Sequence, residues 1–337
     1  MKLVYAMLLG FVLDLIFGDP HGLVHPVQII GWFIDKLKKG MQYLIYGCSY
    51  EEVKEKGIER KAGMEKAAGF FLMLFIVAGT YAVIYGILYV AGMIHPLLRF
   101  CLETFFIYQI LATKSLKKES MKVYKKLKEG DLLGARKEVS YLVGRDTENL
   151  DESEVAKADV ETIAENTADG VIAPMLFIAL GGAPLGFAYK AVNTLDSMVA
   201  YRNDELIHIG FFSAKMDDIC NFVPARFAAV MMMLAAFFLR FDFKGAVRIF
   251  KRDRFAHLSP NSAQTEAVAA GALQIQLGGT HNYFGKAVVK PTIGDAIRPV
   301  EYEDIKRTNQ LLYVSAFLSL AVCTLITFLI YVQLFNV

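Results

Sequence analysis

A chain of 337 residues that is 55% hydrophobic and only 21% charged, with a mean hydropathy of +0.39, is neither an ordinary soluble protein nor a disordered one. The charged fraction still demands sizeable polar parts outside a bilayer; a net charge of +2 argues neither for nor against nucleic acid, and no nucleic acid is expected as a partner. The four cysteines (Cys48, Cys101, Cys220, Cys323) are scattered without CxxC spacing, which argues against a disulfide framework or a zinc site.

The opening MKLVYAMLLGFVLDLIFGDP has one early cation (Lys2), an acid (Asp14) inside its apolar run, and no small-x-small cleavage site. It reads as a retained first membrane segment rather than a signal peptide. An ionisable residue in such a segment is expected to be functional, so Asp14 stands out. Gly18-Asp19-Pro20 has the chemistry of a turn at a membrane exit, and His25 is either a site residue or a loop histidine.

Apolar segments lie at about 3–17, 68–94, 97–113, 170–190, 222–239 and 311–335. Of these, 68–94 and 311–335 have the ~20 clean apolar residues that a spanning helix needs. Pro174 and Gly181-Gly182-Ala183-Pro184 interrupt segment 170–190, a pattern that suits two half-helices. The expected fold is therefore all-α: a polytopic integral membrane protein, one domain, with about five to six membrane segments, some of them broken. Sizeable loops are expected near 18–67, 114–169 and 241–310. These hold 8, 11 and 10 Lys/Arg, 29 of the 36, and the positive-inside rule makes them cytoplasmic. On that topology the polar block 191–221 falls on the outer side, unless it folds back or one short segment does not cross. Residues 114–143 read as a basic amphipathic helix, a Gly-Asp turn and a second helix, whose charged face is solvated or rests on lipid headgroups.

The polar blocks carry the candidate chemistry. Gly144-Arg145-Asp146-Thr147 is a turn leading into a helix, and Asp151 with Glu154 has capping-box spacing. Glu161, Glu165 and Asp169 follow at i, i+4 and i+8 on one helical face, where stacked carboxylates call for a cation; Mg²⁺ suits such a face. Asn193 and Asp196 precede Tyr201-Arg202-Asn203-Asp204. Asp217 and Asp218 precede Asn221 by about a turn, with Arg226 beyond Pro224. Oxygen ligands at these spacings also fit a hard cation. Ser259-Pro260-Asn261-Ser262 predicts a helix start capped by Ser259 or Asn261, with Pro260 in its first turn and free N–H groups for a phosphate. Lys286 and Lys290 lie downstream. Gly285-Lys286 is not a Walker A motif, because the upstream Gly and the following Ser/Thr are missing.

Taken together, the blocks LDLIFGDPHGLVHPVQIIG, GRDTENLD, ETIAENTADGVIAP, KAVNTLDSMVAYRND, SAKMDDICNFVPAR, SPNSAQTEAVAAGAL and YFGKAVVKPTIGD resemble, in order, the CobD/CbiB family of cobalamin biosynthesis. The resemblance runs from Leu13 to Asp295. It implies a multi-pass enzyme of the cell membrane, open to the cytoplasm, that joins aminopropanol or its O-phosphate to the last free propionate of adenosylcobyric acid, a corrinoid. The amide bond is implied to be made with ATP and Mg²⁺ through an acyl phosphate kept from water. On that reading Glu161, Glu165, Asp169, Asp217 and Asp218 include the Mg²⁺ ligands. Ser259, Asn261, Ser262, Lys286 and Lys290 hold phosphates. Arg145, Arg202 and Arg226 hold the substrate carboxylate or the aminopropanol phosphate, and Asp196 or Asp146 accepts the amine proton. The family also implies the lipid bilayer and other late-pathway membrane enzymes as partners. Two rival readings are a non-catalytic membrane signalling relative of the same architecture and a small-molecule transporter, the latter suggested by the broken segment and Asp14.

Overall fold

The first helix, α1 (Lys2–Phe17), ends where Gly18 turns to φ +58° and donates its N–H to the Asp14 carbonyl at 2.8 Å. The computed structural model describes residues 1–19, 25–200, 204–283 and 285–335 and is 76% helical. Its contacts divide the chain into two compact units. Unit 1 comprises Met1–Gly10, Pro20–Ile110 and Phe177–Cys220; unit 2 comprises Phe11–Asp19, Leu111–Leu176 and Asn221–Val337.

Unit 1 is built on α2 (Pro26–Tyr46), α3 (Tyr50–Glu55), α4 (Ala62–Ile94), α5 (Pro96–Ile110), most of α9 (Ala173–Val199) and α10 (Phe211–Cys220). His25 is the N-cap of α2. Its Nδ1 accepts from the Val27 N–H at 3.2 Å while Gln28 reaches back to the His25 N–H at 3.2 Å, which closes a capping box. The expected break in segment 170–190 is present: α9 is interrupted at Gly181 and Gly182, the latter at φ +68°, ψ −166°, a conformation that favours glycine.

Unit 2 holds α6 (Thr113–Lys128), α7 (Leu132–Ser140), α8 (Glu152–Asn166), a π-turn (Thr167–Ile172), α11 (Phe222–Phe238), α12 (Phe243–Asp253), α13 (Ser262–Leu273) and α14 (Glu303–Phe335). The basic helix, turn and second helix read from residues 114–143 are α6, Gly130 at φ +72° and α7. Asp14 is fully buried, and its Oδ2 accepts the Thr113 N–H at 3.0 Å. The acid in the first apolar segment thus serves one of the orphan donors at the start of α6, while its Oδ1 is buried without a hydrogen-bond partner among the described residues. The Asp151–Glu154 capping box forms as the spacing predicts. The π-turn seats Ala168 and Ile172 against Ala228 and Met231 of α11.

Two features differ from the expected architecture. Residues 241–310 are a structured region, not a loop: α12, the wholly buried α13, and an antiparallel hairpin of β1 (Leu277–Tyr283) and β2 (Lys286–Ile293). Gly245 and Gly271 let α12 and α13 touch backbone to backbone, since a Cβ on Gly271 would lie 2.4 Å from the Gly245 carbonyl oxygen. The count of crossings also differs. Among the described residues three helical runs are long and apolar enough to span a bilayer, Ala62–Ile94, Glu152–Val199 and Glu303–Gln333, or four if α10 and α11 are taken together. At 1.5 Å per residue, α1 and α5 reach only about 24 and 22 Å, short of the ~30 Å hydrocarbon core.

Candidate active site

The polar cluster of unit 2 begins with the turn before α8. Arg145 is buried, and its Nη2 donates to Glu161 Oε2 on α8. The other Glu161 oxygen accepts the Gly278 N–H at 2.7 Å. Gly278 sits at φ +73° where β1 bulges, and a Cβ there would lie 2.3 Å from the Pro291 carbonyl oxygen, so only glycine brings this N–H to the carboxylate. Burial works against the Arg145 charge, but the Glu161 carboxylate more than offsets it and the guanidinium is held protonated. Arg145 Nη1 lies 3.1 Å from His281 Nε2. A guanidinium only donates, so His281 Nε2 accepts and the ring is neutral with its proton on Nδ1. Burial and the neighbouring Arg145 agree with this, lowering the imidazole to about 4.

Beside this pair lies a cavity of about 170 Å³, lined by Arg145, Glu161, Thr162 and Glu165 from one side and by His257, Glu266, Gly278, Tyr283 and Lys290 from the other. Glu165 Oε1 accepts the Ser262 hydroxyl at 2.6 Å. His257 Nδ1 accepts the Ser259 N–H at 3.0 Å. Burial holds His257 below the ordinary imidazole range, so the neutral ring carries its proton on Nε2. Glu266 is buried on α13; burial first, and then the Glu165 and Glu161 charges, push its carboxyl well above the usual carboxylate range. Lys290 lies over the Tyr283 ring, 5.2 Å from its centroid. Among the described residues neither Glu266 nor Lys290 makes a hydrogen bond or an ion pair, and both line the cavity.

Of the residues singled out in the sequence, the structure brings Arg145, Glu161, Glu165, Ser262 and Lys290 to this cluster. Asp146 instead closes the hairpin: its N–H donates to the Asn282 carbonyl and its Oδ2 accepts the Gly285 N–H, both at 2.8 Å. Lys286 is exposed at the start of β2. The helix starts at Ser262 with Asn261 in the N-cap position, one of the two expected, so Pro260 precedes its first turn instead of lying in it. Asn261 makes no side-chain cap because its Oδ1 accepts Arg226 Nη1 at 3.1 Å; Arg226 stacks on Phe222 at 3.7 Å and also donates to the Phe222 carbonyl. Ser259 Oγ accepts the Asn261 N–H at 3.2 Å. Asp169 lies in the π-turn, and Asp196, Asp217 and Asp218 belong to unit 1, where Lys215 reaches Asp218 at 3.4 Å. Arg202 lies outside the described residues.

His257, Glu266, His281 and Tyr283 escaped the sequence reading. Glu266 ends the Ser259–Glu266 block, and its one signal was an acid inside a run of small apolar residues. Among the described residues no three of His, Cys, Asp and Glu form a metal-binding group. Glu165 and Glu266 are nonetheless hard oxygen donors at the cavity wall, a chemistry that suits Mg²⁺, which takes only one or two protein carboxylates.

The family model described as CobD/Cbib protein matches residues 7–312. "Cobalamin biosynthesis protein CobD" of Clostridium perfringens is 48% identical over 320 residues, covering 95% of this chain and 96% of its own. The protein of the same name from Streptococcus sanguinis is 45% identical over 320 residues, with the same coverage. "Cobalamin biosynthesis protein CbiB" of Salmonella choleraesuis is 42% identical over 319 residues, covering 95% and 96%. No solved structure matches.

Proposed function

Because the chain belongs to the CobD/CbiB family, we propose that it acts late in cobalamin biosynthesis as an adenosylcobinamide-phosphate synthase. It joins the free propionate of adenosylcobyric acid to aminopropanol or its O-phosphate, using ATP. The observation that supports this is the pairing, in one small cavity, of an uncommitted cation, Lys290, with a buried uncommitted carboxyl, Glu266. Amide synthesis asks for both: a cation for phosphate and carboxylate oxygens, and a base for an amine that arrives as an ammonium.

A volume of about 170 Å³ equals the liquid share of roughly six waters at ~30 Å³ each. It fits the amine and the propionate terminus, while the corrin ring stays outside. Lys290 and the His257 Nε2–H meet the phosphate oxygens. Arg145, already neutralised by Glu161, fixes the wall and turns its remaining donors to the substrate. Glu266 takes the proton from the attacking nitrogen; a carboxyl raised toward the amine's own range is a better acceptor than an ordinary one. Mg²⁺, held by Glu165 with the phosphates, would neutralise phosphate charge. The Lys/Arg-rich stretches that carry these elements support a cavity open to the cytoplasmic side of the cell membrane.

The test is a product assay on purified protein in detergent. Adenosylcobyric acid, ATP and Mg²⁺ are supplied with aminopropanol or its phosphate, and the products are separated by mass. An ATP-dependent amide is expected. Folded protein that yields none with either amine and binds neither corrinoid nor ATP would overturn the reading.

A further inference from the structure

Unit 1 contains a second, larger cavity, of about 670 Å³, which amide formation does not use. It lies among the start of α1, the end of α4, α5 and the break in α9. Its acid, Glu103, is committed: Oε1 accepts the Ala183 N–H at 3.1 Å, just past the break, and a Cβ on Gly182 would lie 2.4 Å from that oxygen. Of its two cations, Lys2 and Arg99, Arg99 feels the Glu103 charge without closing an ion pair with it. Neither side chain has a hydrogen bond or ion pair among the described residues. Arg99 is laid across the end of α4 because Gly92 leaves room; a Cβ there would come within 3.2 Å of Arg99 Cδ.

The depth of this cavity follows from α4. From Lys66, the last charged residue on that helix, to Gly92 is 26 residues, or about 39 Å of helix. That is close to the ~40–45 Å between the two headgroup regions of a bilayer. With Lys66 at one headgroup level, Gly92 and Arg99 stand at the other. Tyr89, which lines the cavity about 4–5 Å of helix before Gly92, sits at the depth where interfacial aromatics collect, and its ring stacks on Tyr85 at 6.3 Å. Beyond them Met93, Ile94 and Leu97 are exposed. Two cations at headgroup depth, bordered by exposed apolar side chains, are complementary to an anion with a hydrocarbon tail.

We propose that this cavity binds an anionic phospholipid, with its phosphate between Lys2 and Arg99 and its acyl chains along the exposed faces of α4 and α5. Delipidated full-length protein in a neutral detergent is titrated with phosphatidylglycerol, with phosphatidylcholine and with inorganic phosphate, and adducts are counted by native mass spectrometry. The wild type is expected to retain phosphatidylglycerol at least tenfold more tightly than phosphatidylcholine. Lys2→Gln with Arg99→Gln abolishes that preference while melting like the wild type. Gly92→Leu, which displaces Arg99 and leaves both charges present, weakens it in the same direction. Undiminished phosphatidylglycerol binding by the folded double variant would overturn the site. Equal retention of phosphatidylcholine would overturn its anionic selectivity, and displacement of the lipid by millimolar inorganic phosphate would show that a free anion is the ligand.

Discussion

Two polar regions look alike on paper and differ in the folded chain. The blocks around Arg145, Glu161, Glu165 and Glu266 meet in unit 2, where buried carboxylates face buried or half-buried cations around a cavity. The equally dense blocks around Asp196, Asp217 and Asp218 belong to unit 1, on α9 and α10, where a partly exposed ion pair between Lys215 and Asp218 is typical of a helix surface. Polar density in sequence marks both regions. What separates them is whether charges that repel, or that lack partners, are forced together out of water. That enforcement costs stability and is tolerated where chemistry uses it.

The sharpest way to break this comparison is Arg145→Met. It leaves Glu161 buried with only the Gly278 N–H, and removing one partner of a buried pair costs ~3–5 kcal/mol. A fall in Tm of many degrees is expected, and Arg145→Met combined with Glu161→Leu should recover much of it. If the single variant melts like the wild type, the cluster is not the strained centre of unit 2.

Glu266→Gln separates chemistry from stability. Turnover is expected to fall about 10²–10⁴-fold, the usual worth of a general base. The native state keeps the Glu266 proton to higher pH than the unfolded chain does, so this group takes stability away as pH rises above about 4.5. The Gln variant should therefore gain in Tm over the wild type at pH 8 and gain nothing at pH 4.5. A variant that is less stable at pH 8 would mean that Glu266 is structural.

How much of this was legible beforehand depends on the range of each interaction. The Asp151–Glu154 box, the Gly130 turn and the Gly181–Gly182 break are local, and spacing alone predicts them. Arg145 and Glu161 each stood in a conspicuous block, but their pairing needs the hairpin to bring up Gly278, and the hairpin was missed. Pro291 inside β2 argues against a strand, and it is tolerated here because a two-stranded ribbon leaves an edge free. Asp14 was legible as unusual, but its partner, a backbone N–H almost a hundred residues away, was not.

Smaller effects sharpen the contrast further. Lys290→Ala should raise KM for the phosphorylated substrate about tenfold with Tm unchanged, because the ammonium is committed only to the Tyr283 ring. An equal loss of kcat would place it at the reacting atoms instead. The smallest change is expected from Asp217→Asn and Asp218→Asn, less than about threefold in turnover if the unit 2 cavity alone carries the chemistry. A shift in the Mg²⁺ concentration that half-saturates either variant would bring α10 into the site and dissolve the contrast drawn above.

All twelve residues of α13 are buried, and its glycine is pressed against the backbone of α12. Its amide hydrogens can meet deuterium only when unit 2 opens as a whole, whereas much of β2 already faces solvent. Isotope uptake along the segment from Ser262 to Ile293 therefore runs from the slowest clock in this unit to one of its fastest within about thirty residues. The helix that carries Glu266 reports global opening, and the strand that carries Lys290 reports local breathing.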